Sequence, residues 1–273
     1  MKNISITFIT IILFYLFLIK PNTKKNRIEK MKSFEEVYLT HRGMFNNVDI
    51  PENSLIAFKK TVENGYGTEL DVQLTLDNKL VVFHDETLLR MCGIDKKLRN
   101  CTYKELQTYN LLNTNEKIPL FKDVLDILKE DTPLIIEIKP EGDYIKTTDE
   151  TIKLIKMYKR NYTMESFNPN VVKHLKDKYP GIIRGQLAYD MLNDQKAKSS
   201  CLLKFALTYL LTNFMTRPDY IAYDIKNMNN LSFKICSKLF KAECVAWTVK
   251  SEDDLIKCKK YYRQFIFDSF VPK

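Results

Sequence analysis

Short strand-like runs alternate with helical patterns along most of this 273-residue chain, and this alternation limits its fold more than any other feature. The segments between the runs are long enough for crossover helices, which parallel strands require. The predicted strands cover residues 37–40, 68–72, 134–138, 163–167, 182–187, 220–224, 244–249 and 265–268, with helices at 54–64, 121–130, 149–159 and 251–261. Eight such units predict an α/β fold, a TIM-type (β/α)8 barrel.

A ninth strand-like run, residues 80–84, follows the second strand too closely for a parallel crossover. Only residues 75–79 separate the two, so we expect a short antiparallel hairpin strand beside the second barrel strand. Such a return would bring His84 back to the barrel mouth. Residues 86–118 are expected to form a small insertion over that mouth and not a second domain.

Three carboxylates occupy predicted strand positions that face the barrel interior. Glu69 and Asp71 are two residues apart, so both side chains project from one face of their strand. Glu137, between two isoleucines, repeats the arrangement on a neighbouring strand. Buried anions are costly without a cation. Because no cysteine or histidine cluster accompanies them, one hard ion such as Mg²⁺ or Ca²⁺ is favoured, with a buried salt-bridge network as the alternative.

The polar residues near these carboxylates suit the handling of a phosphate. His41 and His84 end predicted strands, and phosphodiester cleavage needs one group to take a proton and one to donate a proton. Arg42 offers a planar fork for a phosphate, and Lys139 offers a point charge. Glu52 is expected to hold Arg42 in place, although a helix-starting glutamate would also explain it.

Five short motifs identify a known family that this chain resembles. In order, they are HRG (41–43), PENS (51–54), ELDV (69–72), VVFHD (81–85) and IEIK (136–139). With these motifs, the sequence from about residue 36 to 273 resembles the glycerophosphodiester phosphodiesterase family. The family's Thr-Asp-x-Pro ending is kept here only in Asp268 and Pro272.

The resemblance implies a role for each candidate residue. It makes Glu69, Asp71 and Glu137 the metal ligands and His41 and His84 the catalytic pair. It places Arg42 and Lys139 around the scissile phosphate and Trp247 in a wall of the substrate pocket; a core role is the alternative for Trp247.

We therefore expect a metal-dependent phosphodiesterase that hydrolyses glycerophosphodiesters to glycerol 3-phosphate and an alcohol. The attacking oxygen is either water or the neighbouring glycerol hydroxyl. Two other functions are considered: a lysophospholipase D acting on membrane lysophospholipids, and a non-catalytic headgroup-binding protein. No nucleic-acid partner is expected, because no basic patch interleaved with aromatic residues is present.

The N-terminus predicts a membrane anchor. Residues 4–19 are almost entirely apolar, and a helix of that length rises about 24 Å, slightly less than a bilayer core. No small-residue cleavage site follows, which favours a retained transmembrane helix over a signal peptide. Residues 1–32 hold seven basic residues and one acidic residue, or +6 of the net charge of +9.

The predicted organisation is thus an anchor with a basic juxtamembrane segment at 1–32 and a barrel domain at 33–273. Because the basic cluster follows the span, the barrel domain is expected on the cytoplasmic side of the membrane. The apolar segment 201–214 is expected either to be buried or to contact the bilayer near the substrate entrance.

Overall fold

The structure, a computed structural model, describes residues 2–35, 37–195, 197 and 199–272, with side chains from residue 6 onward. Met1 and Lys273, at the ends of the two predicted domains, lie outside the described residues. The strands are β1 (Tyr38–His41), β2 (Gly67–Leu74), β3 (Leu80–Val82), β4 (Leu134–Ile138), β5 (Tyr162–Ser166), β6 (Arg184–Ala188), β7 (Tyr220–Asp224), β8 (Glu243–Val249) and β9 (Gln264–Phe267).

The helices surround the strands or precede them. In chain order they are α1 (Lys2–Ile19), α2 (Lys25–Met31), α3 (Leu55–Glu63), α4 (Leu89–Cys92), α5 (Tyr103–Leu106), α6 (Phe121–Ile127), α7 (Tyr144–Ile155), α8 (Pro169–Lys178), α9 (Cys201–Thr208), α10 (Asn213–Thr216), α11 (Leu231–Lys234) and α12 (Glu252–Cys258). The α7 helix begins five residues before the predicted start at residue 149, because the Asp143 side chain accepts a hydrogen bond from Lys146 N and caps the helix.

Eight parallel strands, all of those above except β3, close a barrel. Closure occurs at β1, where Leu39 is in register with Gly67 of β2 on one side and with Ile266 of β9 on the other. The predicted TIM-type barrel is therefore confirmed, and the predicted bounds of β4 and β7 coincide with those observed. The carboxyl ends of all eight strands meet at one mouth.

The β3 strand lies antiparallel to β2, with Val82 in register with Val72. Phe83 N donates a hydrogen bond of 3.0 Å to Asp71 O, so the chain after β3 runs back alongside the middle of β2. This pairing places His84 at the height of the inward-facing carboxylates. The insertion that follows packs its own apolar cluster, including Leu98 and Leu106, against β3.

The C-terminal end of α1 is attached to the barrel. Tyr15 Oη lies 2.7 Å from Ser232 Oγ, and Asn213 Nδ2 donates to Ile19 O at 2.8 Å. Seven of the apolar side chains between residues 6 and 14 are exposed. Among the described residues, no helix has both the length and the apolar character required to cross a bilayer, so the predicted transmembrane helix is not supported.

The predicted basic juxtamembrane segment packs against the amino-terminal end of the barrel. Arg27, on α2, is buried and forms an ion pair with Asp219 at the start of β7, and it donates to Ile182 O at 2.5 Å. Met31 and Phe34 belong to the apolar cluster that fills the barrel interior. Residues 25–34 thus contribute to the barrel core, while the boundary at residue 32 stays a prediction.

The apolar segment 201–214 is divided between the core and the surface. Leu207 and Leu210 are buried, whereas Leu202 and Phe205 on α9 are exposed. On α10, the Phe214 ring contacts Phe17 of α1, with the two ring centroids 6.4 Å apart. The segment therefore leaves an exposed apolar surface on α9, next to its buried residues.

Replacing Asp219 by Ala should lower the free energy of unfolding by about 3 to 5 kcal/mol, because the buried Arg27 guanidinium loses its counter-charge. Chemical denaturation of the full chain measures the change. Lys25→Ala, an exposed position on α2, is the control and should stay within about 0.5 kcal/mol of the parent. Equal stability of the Asp219→Ala variant and the parent would contradict the proposed role of α2.

Candidate active site

Three carboxylates meet inside the barrel near its mouth. Glu69, Asp71 and Glu137 are almost fully buried, and each offers an oxygen within 4.8 Å of those of the other two. They face inward because β2 and β4 alternate their side chains and place Asp71 in register with Glu137. The structure thus brings together the three predicted metal ligands.

The charges in this cluster are only partly compensated. Burial and the like charges of Asp71 and Glu137 raise the pKa of Glu69 well above its usual value. Burial would raise the pKa of Asp71 as well, but nearby positive groups, including Lys139, hold the pKa of Asp71 far below its usual range. Lys139 Nζ lies 2.8 Å from Glu137 Oε1 and 3.5 Å from Asp71 Oδ1. Lys139 therefore contacts the carboxylates and does not line the open cavity.

This donor set fits a hard divalent cation. The ligand atoms are all carboxylate oxygens, and Asp71 Oδ1 is buried without a hydrogen-bond donor among the described residues. A raised pKa at Glu69 marks excess negative charge, which a cation would neutralise. Glu69, Asp71 and Glu137 would hold the ion.

Each of the two predicted catalytic histidines has a carboxylate partner. His41 Nδ1 lies 2.9 Å from Asp268 Oδ2, and His84 Nδ1 lies 2.6 Å from Asp85 Oδ1. A carboxylate at Nδ1 orients the ring and keeps Nε2 for other contacts. Burial and the neighbouring Arg42 lower the pKa of His41 to about 4, so this imidazole is neutral at pH 7.

Arg42 is held at the mouth by a strained turn and a carboxylate. Its φ is +57°, and a Cβ at the following Gly43 would lie 2.8 Å from Ala57 Cβ, so only glycine fits there. Arg42 Nη1 donates to Glu52 Oε1 at 2.7 Å, which is the contact expected from the sequence. Glu52 also accepts two hydrogen bonds from Arg90.

One cavity joins these groups to an apolar wall. It is lined by His41, Arg42, Glu69, His84, Glu137, Glu165, Phe167, Leu187, Trp247 and Ile266. The ring centroids of Trp247 and Phe167 are 5.4 Å apart, and Tyr189 packs edge-on against both rings. Trp247 therefore lies in the wall where the resemblance places it.

Several residues of the site were not predicted from the sequence. Asp85 directly follows His84, and Asp268 directly follows β9, so both could have been found as polar groups at the mouth. Arg90, in the insertion, carries no local signal because it reaches Asp85 and Glu52 only through the fold. Glu165, on β5, was not among the site residues predicted from the sequence. Burial raises the pKa of Glu165 to about 8, and nearby carboxylates add to the effect.

Comparison with known proteins agrees with this geometry. Residues 41–270 match the glycerophosphoryl diester phosphodiesterase family. Glycerophosphodiester phosphodiesterase 1 of Bos taurus is 25% identical over 95% of this chain and 85% of its own length. A lysophospholipase D of Rattus norvegicus is 30% identical over 49% of this chain and 45% of its own. The chain spans about two thirds of the length of two bacterial relatives that it matches.

A solved structure shares both fold and sequence. The crystal structure of glycerophosphodiester phosphodiesterase from Thermotoga maritima is 28% identical, with a TM-score of 0.65. The match covers 85% of this chain and 94% of that chain. The barrel described above therefore has the same fold as that protein.

Adding Mg²⁺ or Ca²⁺ should raise the melting temperature of the chain, because an ion bound only by the folded state contributes about 2.7 kcal/mol at 100 times its Kd. Glu69→Gln should remove most of this response without lowering the stability of the metal-free chain, since it also removes repulsion. Thermal denaturation with and without metal measures both effects. Glu63→Gln, an exposed position, should respond like the parent; an undiminished response in Glu69→Gln would contradict the assigned ligand set.

Proposed function

Because the chain belongs to the glycerophosphoryl diester phosphodiesterase family, we propose that it hydrolyses glycerophosphodiesters to glycerol 3-phosphate and an alcohol in a metal-dependent reaction. One observation supports this most strongly: two imidazoles, a guanidinium and two carboxylates of the three-carboxylate cluster line one cavity at the barrel mouth, and the third carboxylate, Asp71, lies beside them. Such a set can bind a phosphodiester, neutralise its charge and move protons on both sides of the phosphorus.

We propose that Mg²⁺ or Ca²⁺ binds to Glu69, Asp71 and Glu137. When bound, the ion supplies Lewis-acid stabilisation of the charge that develops on the phosphoryl oxygens. The positive charge of Arg42 would stabilise the same phosphoryl group. Glu52 holds the Arg42 side chain in place by accepting a hydrogen bond from it. Lys139 forms an ion pair with Glu137, and its positive charge reduces the repulsion among the three carboxylates.

The two histidines divide the proton transfers. His41 is neutral at pH 7, and its Nδ1 is hydrogen-bonded to Asp268, so Nε2 can take the proton from the attacking oxygen, whether this belongs to water or to the neighbouring glycerol hydroxyl. We assign proton donation to the leaving oxygen to His84, which lines the same cavity and is oriented by Asp85. Both roles require the rings to stay fixed, which their carboxylate partners ensure.

His41→Ala and His84→Ala should each lower turnover by at least about 100-fold, because each removes one proton transfer. Release of glycerol 3-phosphate from glycerophosphocholine, in the presence of Mg²⁺, measures the effect. His174→Ala is the matched control. His174 is the third histidine of the chain; it lies on α8, where its Nε2 is hydrogen-bonded to Asp149 Oδ1 at 2.8 Å. Parental activity in either active-site variant would contradict the mechanism, provided circular dichroism shows an intact fold.

A lysophospholipase D activity is the second candidate. The aromatic wall of Phe167, Tyr189 and Trp247 extends from the cavity, and it offers a surface for an acyl chain. The α9 helix, which follows β6 along the chain, also exposes the apolar side chains of Leu202 and Phe205. We propose that α9 and the exposed part of α1 bind a lipid surface; the cytoplasmic location stays a prediction.

The double substitution Leu202→Glu and Phe205→Glu should reduce hydrolysis of lysophosphatidylcholine presented in vesicles by about 10-fold, because charged side chains oppose contact with the bilayer. Hydrolysis of soluble glycerophosphocholine should be unchanged. Leu239→Glu, at an exposed apolar position before β8, is the control and should affect neither substrate. Equal rates on vesicles for the α9 variant and the parent would rule out this lipid-binding surface.

A further inference from the structure

Glu165 is a buried carboxyl in the cavity that the mechanism above does not use. It is only 1% exposed and lies on β5, in register with Glu137 of β4. Its side chain faces inward together with that of Thr163, whose hydroxyl lies 3.1 Å from the Tyr220 hydroxyl in the barrel interior. Glu165 therefore points into the space beside the carboxylate cluster.

One oxygen of this carboxyl has no partner. Glu165 Oε2 is buried and receives no hydrogen bond from any described residue. The Tyr220 hydroxyl is a hydrogen-bond partner of the Glu165 carboxyl group. The nearby carboxylates of Glu137 and Asp71 have like charge and repel an ionised Glu165. An unpaired buried carboxyl oxygen is unfavourable, so a ligand that donates a hydrogen bond is the missing partner.

Glu165 is not part of the metal cluster. The oxygens that lie within 4.8 Å of one another belong to Glu69, Asp71 and Glu137. Beside Glu165, the cavity is instead lined by the rings of Phe167 and Trp247. A carboxyl group next to aromatic faces suits a small carbon skeleton that carries hydroxyl groups.

We infer that Glu165 is a specificity-determining residue that accepts a hydrogen bond from a hydroxyl of the glycerol moiety, while Phe167 and Trp247 pack against its carbon atoms. This inference rests on the proposed function and names the chemical feature that the site selects. Phosphate esters with free hydroxyl groups would be preferred over esters of the same size without them. A site built to bind a hydroxyl discriminates strongly against ligands that lack one.

Binding of two matched ligands tests the inference. In the presence of Mg²⁺, calorimetry measures the affinity of the full chain for sn-glycerol 3-phosphate and for n-propyl phosphate, which lacks both hydroxyls. The parent should prefer glycerol 3-phosphate, and Glu165→Ala should reduce this preference about 10- to 100-fold. The Glu165→Gln variant keeps one acceptor oxygen, so its preference for glycerol 3-phosphate should lie between those of the parent and of Glu165→Ala.

Glu243→Ala is the matched control. Glu243 is also a buried strand glutamate with an unpartnered Oε2, but it begins β8 and does not line the cavity. Its substitution should leave the ligand preference unchanged. If Glu165→Ala does not fold, the isosteric Glu165→Gln variant decides the question by the same ratio of affinities.

Three results would overturn the inference. These are an unchanged preference in the Glu165 variants, an equal loss of affinity for both ligands, and a weakened affinity for Mg²⁺ alone, which would assign Glu165 to the metal. Release of glycerol 3-phosphate from glycerophosphocholine by the parent separates the two proposals. A parent that releases none overturns the proposed function and this inference with it, whereas an active parent with any of the three results overturns the inference alone.

Discussion

Mutual repulsion among buried carboxylates is the constraint on which the rest of the site depends. Glu69, Asp71 and Glu137 share a space of a few ångströms inside the barrel, where water cannot screen them. Lys139 and Arg42 offset only part of this charge, as the raised pKa of Glu69 shows. This excess of negative charge favours binding of a cation, and the proposed cation would in turn favour binding of a phosphate.

The groups that surround these carboxylates come from different segments of the chain, and the fold brings them together. The hairpin formed by β2 and β3 brings His84 to the carboxylates, and the turn after β1 brings Arg42 to them. The last strand supplies Asp268, which orients His41. Groups that are adjacent in the site are therefore up to 227 residues apart in sequence, and their arrangement requires the closed barrel.

The sequence predicted the features that follow from local periodicity, but few of the contacts between residues that are distant along the chain. Inward positions such as Glu69 and Asp71 follow from strand alternation, so the cluster was predictable before its geometry was known. The start of α7 was missed because a cap at Asp143 outweighed the apolar pattern. The ion pair between Arg27 and Asp219 was missed because it joins residues 192 apart, and a basic segment next to an apolar one resembles a juxtamembrane sequence.

The attachment of α1 has a consequence for any surface that its exposed half contacts. Hydrogen bonds at Tyr15 and Ile19 and the packing of Phe17 on Phe214 join the helix to the barrel without an intervening linker. A flexible tether would let the catalytic domain rotate freely above its binding partner. Here the contacts hold the end of α1 directly against the barrel, so a surface that binds the exposed half of α1 would also orient the barrel opening.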